Sequence, residues 1–366
     1  MKVAVNAWFL DSPLEHTTGT GQYARRIVSE IARLAPDVHM ELVYPRRRDD
    51  WSKLYFEQVQ FPSEAARMGA DLAFVPYWAP PLASRVPVVV TVHDVIPLAL
   101  PAYRGGLLQR AYTSLVRAAS ANARAVITDS EFSRRDVLRY LPVEERCVSV
   151  VPLAAGAEYH PLVAEAERQR VRQRYNLPDN YVLYLSGFDA RKNIETLLQV
   201  YVWCGESIGE EFALVVNATE DTPVVANNGQ RMTLGAMMDA LEVREYVRCI
   251  GPVAEADKPA LYAGARAFLF PSTYEGFGLP VLEAMACGVP VVGSNAASVA
   301  EVVGNAGMLV DPLDARSMAG ALIAVCIEDD LHQVLRQRAL LRAAQFSWQA
   351  AAMATLAVFR KVMDAS

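Results

Sequence analysis

Residues 267–288 read AFLFPSTYEGFGLPVLEAMACG. Four apolar residues make a buried strand. A polar loop with two glycines follows, and an apolar run from Leu279 leads to a third glycine, Gly288. Pro280 suits the first helical turn, where a missing N–H does no harm. The stretch is therefore strand, loop, helix, the unit from which parallel α/β sheets are wound. Glu275 falls on the loop and Glu283 about a turn inside the helix. Gly276 and Gly278 let the loop backbone approach a ligand closely. The amides of Gly278 and Leu279, at the helix start, suit a phosphate. A carboxylate at Glu283 can accept two bonds from a ribose diol, and Glu275 can hold a hydroxyl of a second sugar. A phosphate between two sugars is the outline of a nucleotide-sugar. Spacing alone leaves equal room for a plain helix N-terminus with acids favourably placed in its dipole.

The same unit recurs along the chain. KVAVNAWF (2–9), MELVY (40–44), DLAFV (71–75), PVVVTV (87–92), RAVIT (124–128) and CVSVV (147–151) read as strands, with helices over 22–35, 104–122 and 131–141. Continuous apolar strands point to a parallel sheet covered on both faces. The rhythm restarts after a charged stretch at 161–178, with strands at 181–187, 212–217, 246–251, 267–270, 290–293 and 307–311. Helices are expected over 314–328, 330–344 and 348–363. A length of 366 residues exceeds the usual single core. The expectation is α/β, with a first Rossmann-like domain over 1–165, a second over 166–346, and a C-terminal helix over 347–366; the hinge is placed near 155–168. Ligands of such sheets bind beyond the carboxyl ends of the strands.

The net charge of −6 argues against a nucleic-acid partner. The five cysteines have no paired spacing, which fits buried thiols in a reducing cytoplasm. The opening apolar run, MKVAVNAWFLD, is too short for a signal peptide or a membrane span. A cytoplasmic chain is expected, with any membrane contact peripheral and at the inner face. Arg46, Arg47 and Arg48 read as a solvated loop or as a contact for anionic lipid.

Three further segments follow strands. SGFDARKN (186–193) places Arg191 and Lys192 beside the Gly187 turn. Cations aimed at a departing diphosphate stabilise it; a solvated basic pair before a helix is the plainer reading. TGTGQYARR (18–26) opens a helix, and Gly19 and Gly21 can bring backbone donors to a phosphate or an acceptor; a plain turn reads equally well. TVHDVIP (91–97) ends a strand on His93 and Asp94. They form a hydrogen-bonding platform for a sugar, a general base with its orienter, or a satisfied histidine closing a strand. Adjacent residues of an extended chain point to opposite sides, so Asp94 need not orient His93. No hydrolase triad and no metal-ligand spacing stands out.

In this order the motifs resemble a retaining glycosyltransferase of family 4, with the GT-B fold of two Rossmann-like domains facing across a cleft. The likeness covers nearly the whole chain and is strongest over 271–312. It implies that Glu283 binds the donor ribose and Glu275 the donor sugar, and that Gly276, Phe277, Gly278 and Leu279 touch sugar and diphosphate. Lys192 with Arg191 resembles the diphosphate-binding pair, and His93 the histidine that contacts the donor sugar. Gly19 and Gly21 resemble the glycine-rich loop near acceptor and phosphate. Ile250 and Pro252, in RCIGPV (248–253), resemble the segment that reads the base through its backbone. FSWQAAAMATLAVFRKV (346–362) resembles the terminal helix that crosses back to the first domain.

Many relatives carry Gly-Arg after the strand at 181–186, whereas this chain has Gly187-Phe188. The diphosphate cation must come from Arg191 or elsewhere. A subgroup with RKN does this, and its members often use GDP-mannose or deoxysugar donors. The likeness thus implies transfer of a hexosyl group, GDP-mannose-like donors favoured, to a saccharide, lipid-linked saccharide or small-molecule hydroxyl. No metal or other cofactor is implied. No carboxylate beyond Glu275 is poised as a nucleophile, so front-face attack is preferred to double displacement. Acceptor choice is expected in the loops 11–22 and 45–62. The alternatives are a nucleotide-sugar epimerase of the same fold and a non-catalytic two-domain sugar-nucleotide binding protein.

Overall fold

The structure is a computed structural model that describes residues 1–12 and 18–365. Residues 13–17, within the loop 11–22 expected to govern acceptor choice, lie outside the described residues. The chain divides into two compact units, Met1–Leu153 with Ser347–Ser366, and Ala154–Phe346.

The first unit winds six parallel strands, β1 Lys2–Asn6, β2 His39–Val43, β3 Leu72–Val75, β4 Val88–Thr91, β5 Ala125–Thr128 and β6 Val148–Val150, in the order β2-β1-β3-β4-β5-β6. The inner strands LAFV, VVVT and AVIT are buried on both faces, which is why they read as continuous apolar runs. The edge strand HMELV is half exposed and alternates. The helix Gly19–Leu34 buries Tyr23, Ala24, Ile27 and Ile31, one stripe at helical spacing.

The second unit has β7 Tyr181–Tyr184, β8 Ala213–Val216, β11 Val247–Cys249, β12 Ala267–Phe270, β13 Val291–Ser294 and β14 Met308–Val310, all parallel, in the order β11-β8-β7-β12-β13-β14. A small antiparallel pair, β9 Pro223–Val225 and β10 Arg231–Thr233, stands apart and was not expected from the sequence. The strand order reverses between β7 and β12. Ligand crevices of open α/β sheets form at such a switch point, beyond the carboxyl ends of the strands.

The division between the units falls at Leu153–Ala154, ahead of the boundary expected at 165. The intervening segment is tied into the second unit. Tyr159 meets Tyr262 edge to face at 5.9 Å, and the helix Glu165–Arg174 pairs Arg170 and Arg174 with Asp257. The C-terminal helix Trp348–Asp364 belongs to the first unit. Ser347 caps it by accepting from the Ala350 amide at 3.1 Å. Its buried face carries Ala351, Ala352, Leu356, Phe359 and Val362. Small residues on that face allow a close approach to the helix Gly19–Leu34. Phe359 sits fully buried, 5.1 Å from Phe74 of β3.

Phe359→Ala is therefore expected to destabilise the first unit by about 3–5 kcal/mol. Chemical denaturation followed by tryptophan fluorescence measures this; a loss below about 1 kcal/mol would mean the helix is only loosely attached.

Candidate functional site

The loops after β7 and β12 meet at the switch point. The first runs through Gly187 to Asn193, the second from Pro271 to Gly278. Asn193 is left-handed at φ 59°, a conformation its short polar side chain tolerates. Its Nδ2 donates to the carbonyls of Pro271 (3.2 Å) and Pro312 (2.7 Å). The Arg191 carbonyl accepts from the Thr273 amide at 2.8 Å and from Ser272 Oγ at 3.0 Å. The two loops are thus stitched together by one backbone bond and by side chains that donate to backbone carbonyls.

This brings Arg191, Lys192 and Glu275 into contact. Glu275 Oε1 accepts from Lys192 Nζ at 2.5 Å and from Ser272 Oγ at 2.7 Å, while Oε2 accepts from Arg191 Nη1 at 2.7 Å. Arg191 Nη1 also donates to the Tyr274 carbonyl, and its Nε lies 3.2 Å from Asp189 Oδ1. Lys192 is only 5 % exposed, with Nζ 5.3 Å from the centre of the Phe270 ring. Burial pulls the Lys192 pKa below its usual value, against the opposing Glu275 carboxylate.

Glu283 is held differently. It lies on the buried side of the helix Leu279–Ala286. Its Oε2 accepts from the Tyr262 hydroxyl at 3.1 Å. Burial raises its pKa to about 7, with Lys258 and the hydroxyls of Tyr262 and Tyr159 opposing. Gly278 caps the helix in a left-handed conformation, φ 105°, open to glycine without strain. Among the described residues, the amides of Gly278 and Leu279 take no part in a hydrogen bond. Phe277 is turned inward and packs on Phe346 at 5.9 Å, so its backbone is what it can offer a ligand. Ile250 bonds its amide to Val216, Gly251 follows at φ 72°, and Pro252 is exposed. At Gly187 a Cβ would come within 3.3 Å of Asp189 Oδ2, and the carbonyl accepts from the Tyr184 hydroxyl.

In the first unit His93 pairs with Asp129, not with Asp94. His93 Nδ1 lies 2.7 Å from Asp129 Oδ2, whereas Asp94 accepts from the Ile96 amide at 3.0 Å. The sheet register explains it. Thr91 of β4 pairs with Ile127 of β5, and two residues further on in each chain are His93 and Asp129. Tyr23 meets the imidazole edge to face at 4.7 Å. Burial lowers the His93 pKa, but the Asp129 charge and hydrogen bond, with Asp94 and the Pro76 carbonyl, outweigh it and raise it overall. Gly19 and Gly21 are not in an open loop. Both fall in the first turn of the helix Gly19–Leu34, and the Gly21 amide is taken by the capping Thr18 Oγ1 at 3.0 Å.

The geometry therefore joins Arg191, Lys192 and Glu275, gives Glu283 a separate setting, and adds residues the sequence did not single out: Asp129, Ser272, Asn193, Tyr159 and Tyr262. The TDS triplet after β5 was the available signal for Asp129, because parallel neighbours place equivalent strand ends side by side.

Comparison with known proteins gives a consistent picture. Residues 165–342 match the family described as Glycosyl transferases group 1, and residues 18–155 match Glycosyltransferase Family 4. The chain is 32% identical over 273 residues to the O-antigen chain mannosyltransferase B of Escherichia coli, covering 74% of this chain and 70% of that one. It is 29% identical over 280 residues to the serotype-specific mannosyltransferase WbdA of Escherichia coli, and spans only 34% of that longer protein. Among solved structures, sucrose-phosphate synthase from Thermosynechococcus elongatus superposes with a TM-score of 0.74 at 20% identity over the whole of both chains. HepE from Anabaena, in complex with UDP and glucose, gives 0.70 at 19% identity, over 99% of this chain and 100% of that one.

Two pH effects follow. Glu283 has a folded pKa above its unfolded value, so its contribution to stability is present at low pH and is lost as pH rises through about 7. Without ligand, Glu283→Gln is expected to match the wild type at pH 5 and to be more stable by roughly 1–3 kcal/mol at pH 8; equal pH dependence of the two in denaturation would refute the assignment. In Asp129→Asn the burial of His93 acts with less opposition. Its pKa, followed by NMR, is expected to fall below the usual histidine value; an unchanged titration would show that Asp129 does not set it.

Proposed function

The chain belongs to the group 1 glycosyl transferases of glycosyltransferase family 4, and on that premise we propose that it moves a mannosyl group from GDP-mannose to a hydroxyl of a saccharide or lipid-linked saccharide, with retention. It is a glycosyltransferase with the GT-B fold. The observation that carries the finer reading is the Arg191–Lys192–Glu275 cluster at the β7–β12 switch point, next to the open amides of Gly278 and Leu279. In this reading Lys192 and Arg191 bind the diphosphate, and no metal is needed. Glu283 takes the ribose diol, Glu275 a hydroxyl of the transferred sugar, and His93, its ring held by Asp129, another. Gly187 gives the diphosphate room, and Gly276 and Phe277 offer backbone to the sugar. Gly19 stands near acceptor and phosphate. A cytoplasmic location, with peripheral membrane contact for a lipid-linked acceptor, belongs to the same proposal.

Two observations support guanine and mannose. The relatives named above are mannosyltransferases. In addition, Lys258 Nζ lies 2.5 Å from Glu255 Oε1 just after the Ile250–Pro252 segment, and both charges act on Glu283. Guanine presents one acceptor, O6, beside two donors, N1–H and N2–H; an ammonium beside a carboxylate complements that edge. Uracil presents two carbonyl oxygens around one N–H, and a carboxylate there meets like charge.

The chemistry is a single-face displacement. The acceptor oxygen bonds to the anomeric carbon as the bond from that carbon to the β-phosphate oxygen breaks, and the acceptor proton passes to the phosphate oxygen. The electron pair of the broken bond stays on GDP, beside Lys192 and Arg191. Those cations are most valuable when that charge develops.

Calorimetric titration with GDP, GDP-mannose and UDP tests the donor. GDP and GDP-mannose are expected to bind and UDP to bind at least about tenfold more weakly, a preference that Glu255→Ala reduces; equal binding of GDP and UDP would overturn the guanine reading. Glu283→Ala is expected to weaken GDP binding, while Glu275→Ala mainly lowers kcat. Lys192→Ala is expected to lower the transfer rate by about 10²–10³. An α-linked product, seen from the anomeric coupling, is expected; a β-linked one would exclude retention from this donor.

A further inference from the structure

The turn that follows β11 is fixed at both ends and open in the middle. At its start the Ile250 amide donates to the Val216 carbonyl at 3.0 Å and the Gly251 amide to the Ala218 carbonyl at 2.9 Å. At its far end the Ala254 carbonyl accepts from the Asp257 amide at 2.9 Å. The Ala254 amide donates to the Tyr175 hydroxyl at 3.1 Å. Between these points, among the described residues, the Val253 amide and the carbonyls of Gly251, Pro252 and Val253 take part in no hydrogen bond. These three residues are half-buried or exposed, so the open groups can face a ligand. A nucleobase edge sets donors and acceptors side by side, and this backbone offers both.

Tyr175 reaches the turn from the end of the helix Glu165–Arg174. Its amide donates to the Val171 carbonyl at 3.1 Å. Asn176 then turns left-handed at φ 47°, which its short polar side chain tolerates. The Leu177 amide closes the helix on the Arg172 carbonyl at 3.0 Å, and its side chain is buried. The Tyr175 hydroxyl is used twice. It accepts from Ala254 and donates to Asp257 Oδ2 at 2.7 Å. Asp257 is 1 % exposed. Its Oδ1 accepts from Arg170, and its Oδ2 lies 2.9 Å from Arg174 Nη1. The two guanidinium groups offset the cost of burying that charge. A latch needed only to hold the helix on the second unit could end at Asp257. This one goes on to grip the backbone of the turn.

We propose that Tyr175 is a positioning residue for the nucleobase: its hydroxyl, held by Asp257 between Arg170 and Arg174, aims the Val253 carbonyl and amide at the base. The Ala254 N–H and the Val253 C=O belong to one planar peptide unit and point to opposite sides of it. A hydroxyl that holds the N–H therefore fixes the direction of the carbonyl. Gly251, at φ 72°, gives the turn backbone freedom that a ligand would otherwise have to freeze. Fixing it beforehand lowers the cost of binding. The proposal rests on the reading that this segment faces the base of a nucleoside diphosphate donor.

Calorimetric titration of the full chain with GDP and with inorganic pyrophosphate separates the base from the diphosphate. The wild type is expected to bind GDP at least about tenfold more tightly than pyrophosphate. Tyr175→Phe is expected to lower GDP affinity by about tenfold, the factor for one lost hydrogen bond, and to leave pyrophosphate affinity unchanged. Arg170→Gln with Arg174→Gln, which keeps the hydroxyl, is expected to act in the same direction by about threefold, since both guanidinium groups are half exposed. Unchanged far-ultraviolet circular dichroism shows that each variant is folded. A Tyr175→Phe variant that binds GDP like the wild type overturns the proposal. So does one that loses GDP and pyrophosphate by the same factor, which would make Tyr175 a support for the unit as a whole. A wild type that binds pyrophosphate as tightly as GDP removes the base reading itself, and this proposal with it. That failure shows before any variant is made, so the two are told apart.

Discussion

The Glu275 carboxylate, gripped by Lys192 on one oxygen and Arg191 on the other, is the contact on which the second unit's site depends. Lys192 is almost fully buried beside the Phe270 ring. A buried ammonium without a counter-ion gives up its proton rather than remain charged. Glu275 is what keeps a cation at that position. The acid in turn needs Ser272 Oγ and the loop geometry that the Asn193 side chain and the Arg191 carbonyl impose. Removing Glu275 leaves the buried Lys192 ammonium without its partner, which is more damaging than never having built the pair. The cluster therefore constrains two loops that are distant in sequence but are neighbours at the point where strand order reverses.

Glu283 shows the opposite treatment of the same residue type. Its directly bonded partner is a neutral phenol, Tyr262, and Lys258 acts on it only through its field. Burial without a strong ion pair raises its pKa and costs the unliganded protein stability near neutral pH. A carboxylate already saturated by a cation would have less capacity left for a diol. Such a cost, retained at one position within an otherwise well-satisfied helix, is what a ligand-binding group looks like.

How much of this was legible in sequence follows from the range of each interaction. β3, β4, β5, β7, β8, β12 and β13 are buried on both faces, so their apolar runs announced them. The β9–β10 pair has three residues in each strand and stands apart from both large sheets, so no long apolar run marked it. Glu275, Glu283, Arg191 and Lys192 stood out because glycine spacing and strand ends are local. The partner of His93 did not, because Asp129 lies on the next strand and only the register of β4 and β5 brings it near. For the same reason Tyr262 could not be connected with Glu283 in advance. In the TGTGQY segment the helix start was legible but its cap was not: Thr18 Oγ1 takes the Gly21 amide.

Both cations keep donors beyond those spent within the cluster. An ammonium has three N–H donors, and Lys192 gives one to Glu275. Arg191 already serves Glu275, the Tyr274 carbonyl and Asp189. Two cations facing Glu275 and the more exposed Asp189 make a cluster close to neutral, which limits the cost of assembling it in the unliganded protein. A nucleoside diphosphate that gains a negative charge as its sugar departs changes that balance at one point, the oxygen being released. The remaining Lys192 donors, in the low dielectric beside Phe270, and the open amides of Gly278 and Leu279 respond most strongly to charge appearing there. On the proposed function both cations meet the leaving group, and Arg191 in addition holds Glu275 and the β12 loop in place.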